Sequence, residues 1–132
     1  VVIKGKLTTR IGALASAFAL VAGAQLATAT PASAAFDGNC GSGELCLFFN
    51  VSYSGGMADF GGNISNYTSY NFYGTVHNLN DNSASGKNYS SFQDVHMHEH
   101  ANYGGSGLEF NPNQWRSNLG ASWTNRGSSH RW

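Results

Sequence analysis

The residues richest in possible chemistry are His96-Met97-His98-Glu99-His100. On a strand, alternate residues share a face, and a face bearing three imidazoles can hold zinc, copper or nickel. The same letters spell H-x-x-E-H, an inverted zinc-protease signature whose two histidines come together only on a helix. Ala101-Asn102-Tyr103-Gly104-Gly105 follows at once, and that is turn sequence. The run is therefore read as a strand, and a zinc hydrolase is set aside. The plainer alternative is that His96, His98 and His100 fill strand and turn positions without a metal. No serine-nucleophile elbow, paired-carboxylate site or phosphate-binding loop occurs in the sequence, so no enzyme class is indicated.

The elements around this run come from a repeat. Phe48-Phe49-Asn50-Val51-Ser52-Tyr53-Ser54-Gly55-Gly56 is echoed by His98-Glu99-His100-Ala101-Asn102-Tyr103-Gly104-Gly105-Ser106, and Phe60 by Phe110, at an offset of 50. A fixed offset across an aromatic, a glycine and a second aromatic marks a duplicated unit. Phe48 and Tyr53 can stack across a folded hairpin, and Gly55 permits a positive φ where it bends back. His98 takes the first aromatic position in the second unit. A polar segment after each hairpin also repeats, Asp81 to Asn88 against Asn118 to Asn125, at an offset of 37. The first unit then carries a tyrosine-rich insertion around Ile64 to Thr75.

Short apolar stretches bounded by Gly, Asn or Ser read as strands: Leu47–Phe49, Val76–Leu79 and Gly107–Phe110. A helical turn near Asn113-Gln114-Trp115 is an option. Two similar units with no helix to cover a sheet edge predict an all-β fold, a two-sheet Greek-key sandwich.

Residues 1–34 read as a secretory signal peptide. Lys4, Lys6 and Arg10 form the basic start, Ile11 to Val21 the apolar run, and Ala32-Ser33-Ala34 the cleavage signal. The apolar run is shorter than the roughly 20 residues of a spanning helix, so no membrane partner is expected. The domain expected is 35–132, with Greek-key units at about 44–90 and 94–132. It holds four of the seven basic residues and all seven acidic ones, and such a balance argues against nucleic acid. Cys40 and Cys46 are the only cysteines, and outside the cytoplasm such a pair oxidises to a disulfide. A monomer is expected.

The hairpin residues resemble the signature of βγ-crystallin Greek keys. More closely, the chain resembles the secreted bacterial peptidase-inhibitor family of the Streptomyces metalloproteinase inhibitor type. The matches are Cys40-x5-Cys46-Leu47-Phe48, Tyr53-x-Gly55-Gly56, Glu99-His100-Ala101-Asn102-Tyr103-Gly104-Gly105 and the Asx/Ser segments. The resemblance implies a βγ-crystallin-like sandwich that blocks a secreted metalloproteinase through an exposed loop. His96 stands where a cysteine of the family's second disulfide is expected, and no residue of the inhibitory loop can be assigned.

The βγ-crystallin resemblance also implies calcium. In those relatives a segment of two Asx residues, two variable residues and Ser/Thr-Ser supplies the oxygens. Asp81-Asn82-Ser83-Ala84-Ser85-Gly86 fits except at Gly86, and its Asp81, Asn82, Ser83 and Ser85 offer carboxylate, amide, carbonyl and hydroxyl. Asn118, Gly120 and Ser122 form a weaker copy, because Leu119 removes a ligand and Trp123 replaces Ser. The alternative is that these Asx and Ser residues cap turns. The function expected is a secreted metalloproteinase inhibitor; the second expectation is a calcium-binding structural or cell-surface module with no protease target.

Overall fold

The computed structural model describes residues 36–132, so the signal-peptide reading lies outside the described residues. Among the described residues seven strands follow one another: β1 (Leu45–Asn50), β2 (Ser54–Phe60), β3 (Ser85–Asn88), β4 (Val95–His100), β5 (Gly104–Phe110), β6 (Trp115–Arg116) and β7 (Ser129–Arg131). They form two antiparallel sheets, ordered β2-β1-β3-β6 and β5-β4-β7. An isolated bridge from Ile64 to His130 extends the second sheet beyond β7. Each sheet therefore takes two hairpin strands and a returning strand from one repeat, and an edge from the other.

Alternation decides which side chains face inward. Leu45 and Leu47 on β1, Val95 and Met97 on β4, and Phe60 and Phe110 at the ends of β2 and β5 are fully buried. Tyr67, Phe72 and Leu79, from the insertion and the segment after it, complete the core. Phe60 stacks on Tyr67 with planes 7° apart, an arrangement that buries two large rings in a chain otherwise rich in Gly, Asn and Ser.

The two hairpin corners adopt the same backbone. Ser52 and Tyr53 have φ of 57° and 58°, and Asn102 and Tyr103 have 57° and 61°. Gly55 follows at φ 82° and Gly105 at 74°, as the sequence predicts. A Cβ at Gly55 would run into the Asn50 side chain, so glycine is required there for space as well as for φ. One serine closes each corner. The Ser85 hydroxyl donates to the Asn50 carbonyl at 2.6 Å and accepts from Tyr53 N–H at 3.1 Å. Ser129 does the same for His100 and Tyr103, at 2.6 and 3.1 Å.

This places Ser85 opposite Ser129, at an offset of 44, where the sequence reading aligned it with Ser122. Strand register confirms the pairing, since Phe48 faces Ser85 and His98 faces Ser129. Two further segments differ from expectation. Val76–Leu79 is a loop rather than a strand, joined to its surroundings through the isolated Asn71–Asn78 bridge. The Asn113–Trp115 segment turns at Asn113, φ 56°, directly into β6.

The N-terminal segment is fastened twice. Cys40 and Cys46 form the expected disulfide, with Cys46 fully buried on β1. The Asp59 carboxylate accepts from the N–H groups of Asp37 and Gly38 at 3.1 and 3.0 Å. Burial raises the Asp59 pKa, and these hydrogen bonds oppose the shift.

Candidate functional site

The predicted calcium segment begins beside the residues that precede β7, where Asp81 N–H donates to the Gly127 carbonyl at 2.9 Å, and ends inside β3. Asp81 carries φ 56°, and its carboxylate accepts from the Ser128 hydroxyl at 3.0 Å and from the Asn80 amide at 2.9 Å. The Asn82 amide donates to the carbonyls of Asn78 and Asn80 at 2.8 and 3.1 Å. Ser83 and Ser85 are fully buried, and the Ser85 hydroxyl is committed to the β1–β2 corner. Of the four predicted ligands, Asp81 alone lines a surface cleft beside a second carboxylate, that of Glu99.

That cleft has a volume of about 300 Å³ and is walled by Asp81, Glu99, His100, Asn125 and Arg126. Its positive charge comes from the chain itself, because the Arg126 guanidinium is ion-paired with Glu99. The other Glu99 oxygen accepts from Ser106 N–H at 3.1 Å. The pseudo-symmetric cleft is walled by Phe49, Asn50, Val51, Asn82, Ala84, Thr124 and Asn125, with no carboxylate. The weaker predicted ligands line neither cleft. The Asn118 side-chain Oδ1 accepts from Gly120 N–H at 2.8 Å, an Asx turn, and Ser122 is exposed. The sequence reading met Glu99 only in the histidine run and missed Arg126; a signal for Arg126 was there in Asn125-Arg126-Gly127-Ser128-Ser129, which aligns with Asp81 to Ser85 at an offset of 44.

The histidine run lies on β4 as a strand, as predicted, and its members part company. His100 lines the Glu99 cleft, whereas His96 lines a different one with Gln93, Asp94, Arg131 and Trp132. His98 is buried, packs edge-on to Tyr103, and has both ring nitrogens without a hydrogen-bond partner. Burial holds its pKa below the usual value, helped by the charges of Arg131 and His96, so it fills the place of an aromatic as a neutral ring. Among the described residues no group of three or more His, Cys, Asp or Glu is placed to hold a metal ion.

Two surface features remain. On the outer face of the first sheet, Lys87 Nζ lies 4.4 Å from the Tyr53 ring centre and 4.5 Å from that of Trp115, with Phe48 and Tyr89 at 5.6 and 5.9 Å. Four rings thus enclose one ammonium. The second feature is the loop from Phe72 to His77. Phe72 is fully buried, its N–H donates to the His77 carbonyl at 2.9 Å, and its carbonyl accepts from Thr75 N–H at 3.0 Å and Thr75 Oγ1 at 2.9 Å. Thr75 Oγ1 accepts in turn from His77 N–H at 3.1 Å. The His77 ring stacks on Phe49 at 4.3 Å with planes 11° apart.

The fold and these features were compared with known proteins. Similar solved structures include one determined for the evolution of the eye-lens βγ-crystallin domain fold, with TM-score 0.60 and 21% identity over 71% of this chain and 88% of that one. An archaeal βγ-crystallin gives 0.52 and 23%, covering 69% and 98% of the two chains. A βγ-crystallin from Ciona intestinalis gives 0.53 and 18%, covering 67% and 98%. At these identities the likeness establishes a βγ-crystallin fold and nothing more. No curated protein matches the sequence. The profile of peptidase inhibitor family I36 matches residues 33–111, more than half of the chain, from the disulfide segment through both folded corners to the end of β5. The chain belongs to the peptidase inhibitor family I36.

Proposed function

We propose that this protein is a secreted inhibitor that binds and blocks a metalloproteinase, acting as a binding domain without turnover of its own. Family membership over residues 33–111 carries the reading. The Cys40–Cys46 disulfide supports action in an oxidising compartment, where such bonds persist. The frame suits the task, because loops held by hydrogen bonds and buried anchors lose little freedom on binding. The test is a titration of purified protein against secreted metallo-, serine and cysteine peptidases. Stoichiometric loss of activity confined to metallopeptidases is the expected result, and full activity across the panel overturns it.

A second reading, a calcium-binding module, is favoured by one observation: Asp81 and Glu99 share a cleft. Two carboxylates are suitable hard ligands for calcium, but Arg126 competes for the same charge. On this reading Asp81 and Glu99 would hold the ion, weakly, with Arg126 displaced.

A further inference from the structure

We propose that the loop Phe72–His77 is the inhibitory element, with Val76 as the side chain that enters an apolar specificity pocket of the target peptidase. The proposal rests on the inhibitor reading and names the surface that performs it. Val76 is 89% exposed, the highest value among the large apolar side chains on the surface, and nothing in the domain covers it. A β-branched side chain has little rotamer freedom to lose, so its exposure presents a stiff apolar knob.

The backbone is anchored on both sides of Val76. Phe72 in the core, the two bonds of Thr75 Oγ1 and the His77–Phe49 stack fix the loop's ends. The Asn78 amide holds the loop's base by donating to the carbonyls of Thr68 and Tyr70 at 2.9 and 3.0 Å. Val76 itself spends neither its N–H nor its carbonyl on a hydrogen bond to the described residues. A peptidase cleft recognises a substrate strand through main-chain bonds plus one side-chain pocket, and Val76 offers both in a fixed geometry.

Charge fits the same partner. From Gly61 to Asn80 the sequence contains no Asp, Glu, Lys or Arg, so the loop sits in a neutral stretch and brings no charge to be desolvated. Tyr73, half exposed and edge-on to Phe36 at 6.0 Å, adds a second exposed apolar side chain to the same loop. Phe92, the next most exposed apolar residue, lies in the separate β3–β4 connection and serves as the comparison.

The experiment compares inhibition by the wild-type protein, Val76→Asp, Val76→Ala and Phe92→Asp against the same peptidase panel, with melting temperature measured for each. Val76→Asp should weaken inhibition by about 30-fold or more, Val76→Ala by less, and Phe92→Asp by under about threefold, all with unchanged melting. If the wild type inhibits and Val76→Asp inhibits equally well, the loop assignment fails while the inhibitor reading stands. If the wild type inhibits no peptidase, both fail together.

Discussion

The Arg126 guanidinium pairs with Glu99 in the cleft that Asp81 also lines, so the protein brings its own cation to a place where two carboxylates converge. An inorganic cation must displace it. Arg126 is about half exposed, so releasing it costs at most about 1 kcal/mol.

The first prediction follows from that competition. Calcium at millimolar concentration should shift the melting temperature of the wild type by less than about 1 °C and raise that of Arg126→Ala by several degrees, the linkage expected of weak binding to the folded state. An equal response in both proteins would show that Arg126 does not occupy the ion's place. No response in either would remove calcium from this cleft.

Ser85 and Ser129 should be interchangeable in their energetic importance. Replacing either with Ala leaves a carbonyl and an N–H of a folded corner without a partner, which costs about 1–3 kcal/mol in denaturant unfolding. Ser122→Ala, at an exposed position, should change stability by less than about 0.5 kcal/mol. A large effect at Ser122 would restore the offset-37 alignment.

His130 should make the fold acid-sensitive. It is fully buried, accepts from the Tyr67 hydroxyl at Nδ1 (2.7 Å) and donates from Nε2 to the Gly62 carbonyl (2.8 Å), and burial lowers its pKa to about 4. Between this value and the unfolded one near 6.5, the unfolded chain binds the extra proton. Its contribution is therefore complete above pH 6.5 and lost as pH falls toward 4, a change on the order of 3 kcal/mol. Glu44 and Asp59, both raised by burial, act in the opposite sense and blunt the lower end of the slope. Stability measured against pH should lose most of its dependence over this range in His130→Gln; an unchanged slope would assign the sensitivity elsewhere.

Lys87 should stabilise the sheet through its rings rather than through an ion pair. Lys87→Met keeps the aliphatic stem and removes the charge, and the expected loss is about 1–2 kcal/mol, little affected by 0.5 M salt. A loss that vanishes in salt would indicate a long-range charge effect instead.

The folded corners were legible in the sequence because their causes are local. Gly55 and Gly105 are set by a positive φ, and Tyr53 and Tyr103 by edge-on packing against Phe48 and His98 of the same hairpin, and such local causes leave a fixed spacing. The cysteine pair was legible for the same reason. Ser129 was misplaced because its role is set by a partner 29 residues away, His100, and nothing in the local letters distinguishes it from Ser122. Val76 was read as a strand residue on its hydrophobicity. What makes it a loop residue is the set of bonds made by Thr75 and Asn78 to segments on either side. The Glu99–Arg126 pair spans β4 and the segment before β7, and such a contact has no spacing rule at all.

The exchange of edges between the two sheets governs how the chain can assemble. β6 completes the sheet of the first repeat, and Ile64 pairs with β7 in the sheet of the second. Neither half completes its own sheet, and a ribosome-bound fragment ending before Ser129 would leave the β4 edge open and His100 and Tyr103 without their serine. Completion of the second sheet and of its folded corner therefore waits for β7. A fragment stopping at the end of β5 should behave as a nascent chain still waiting to fold.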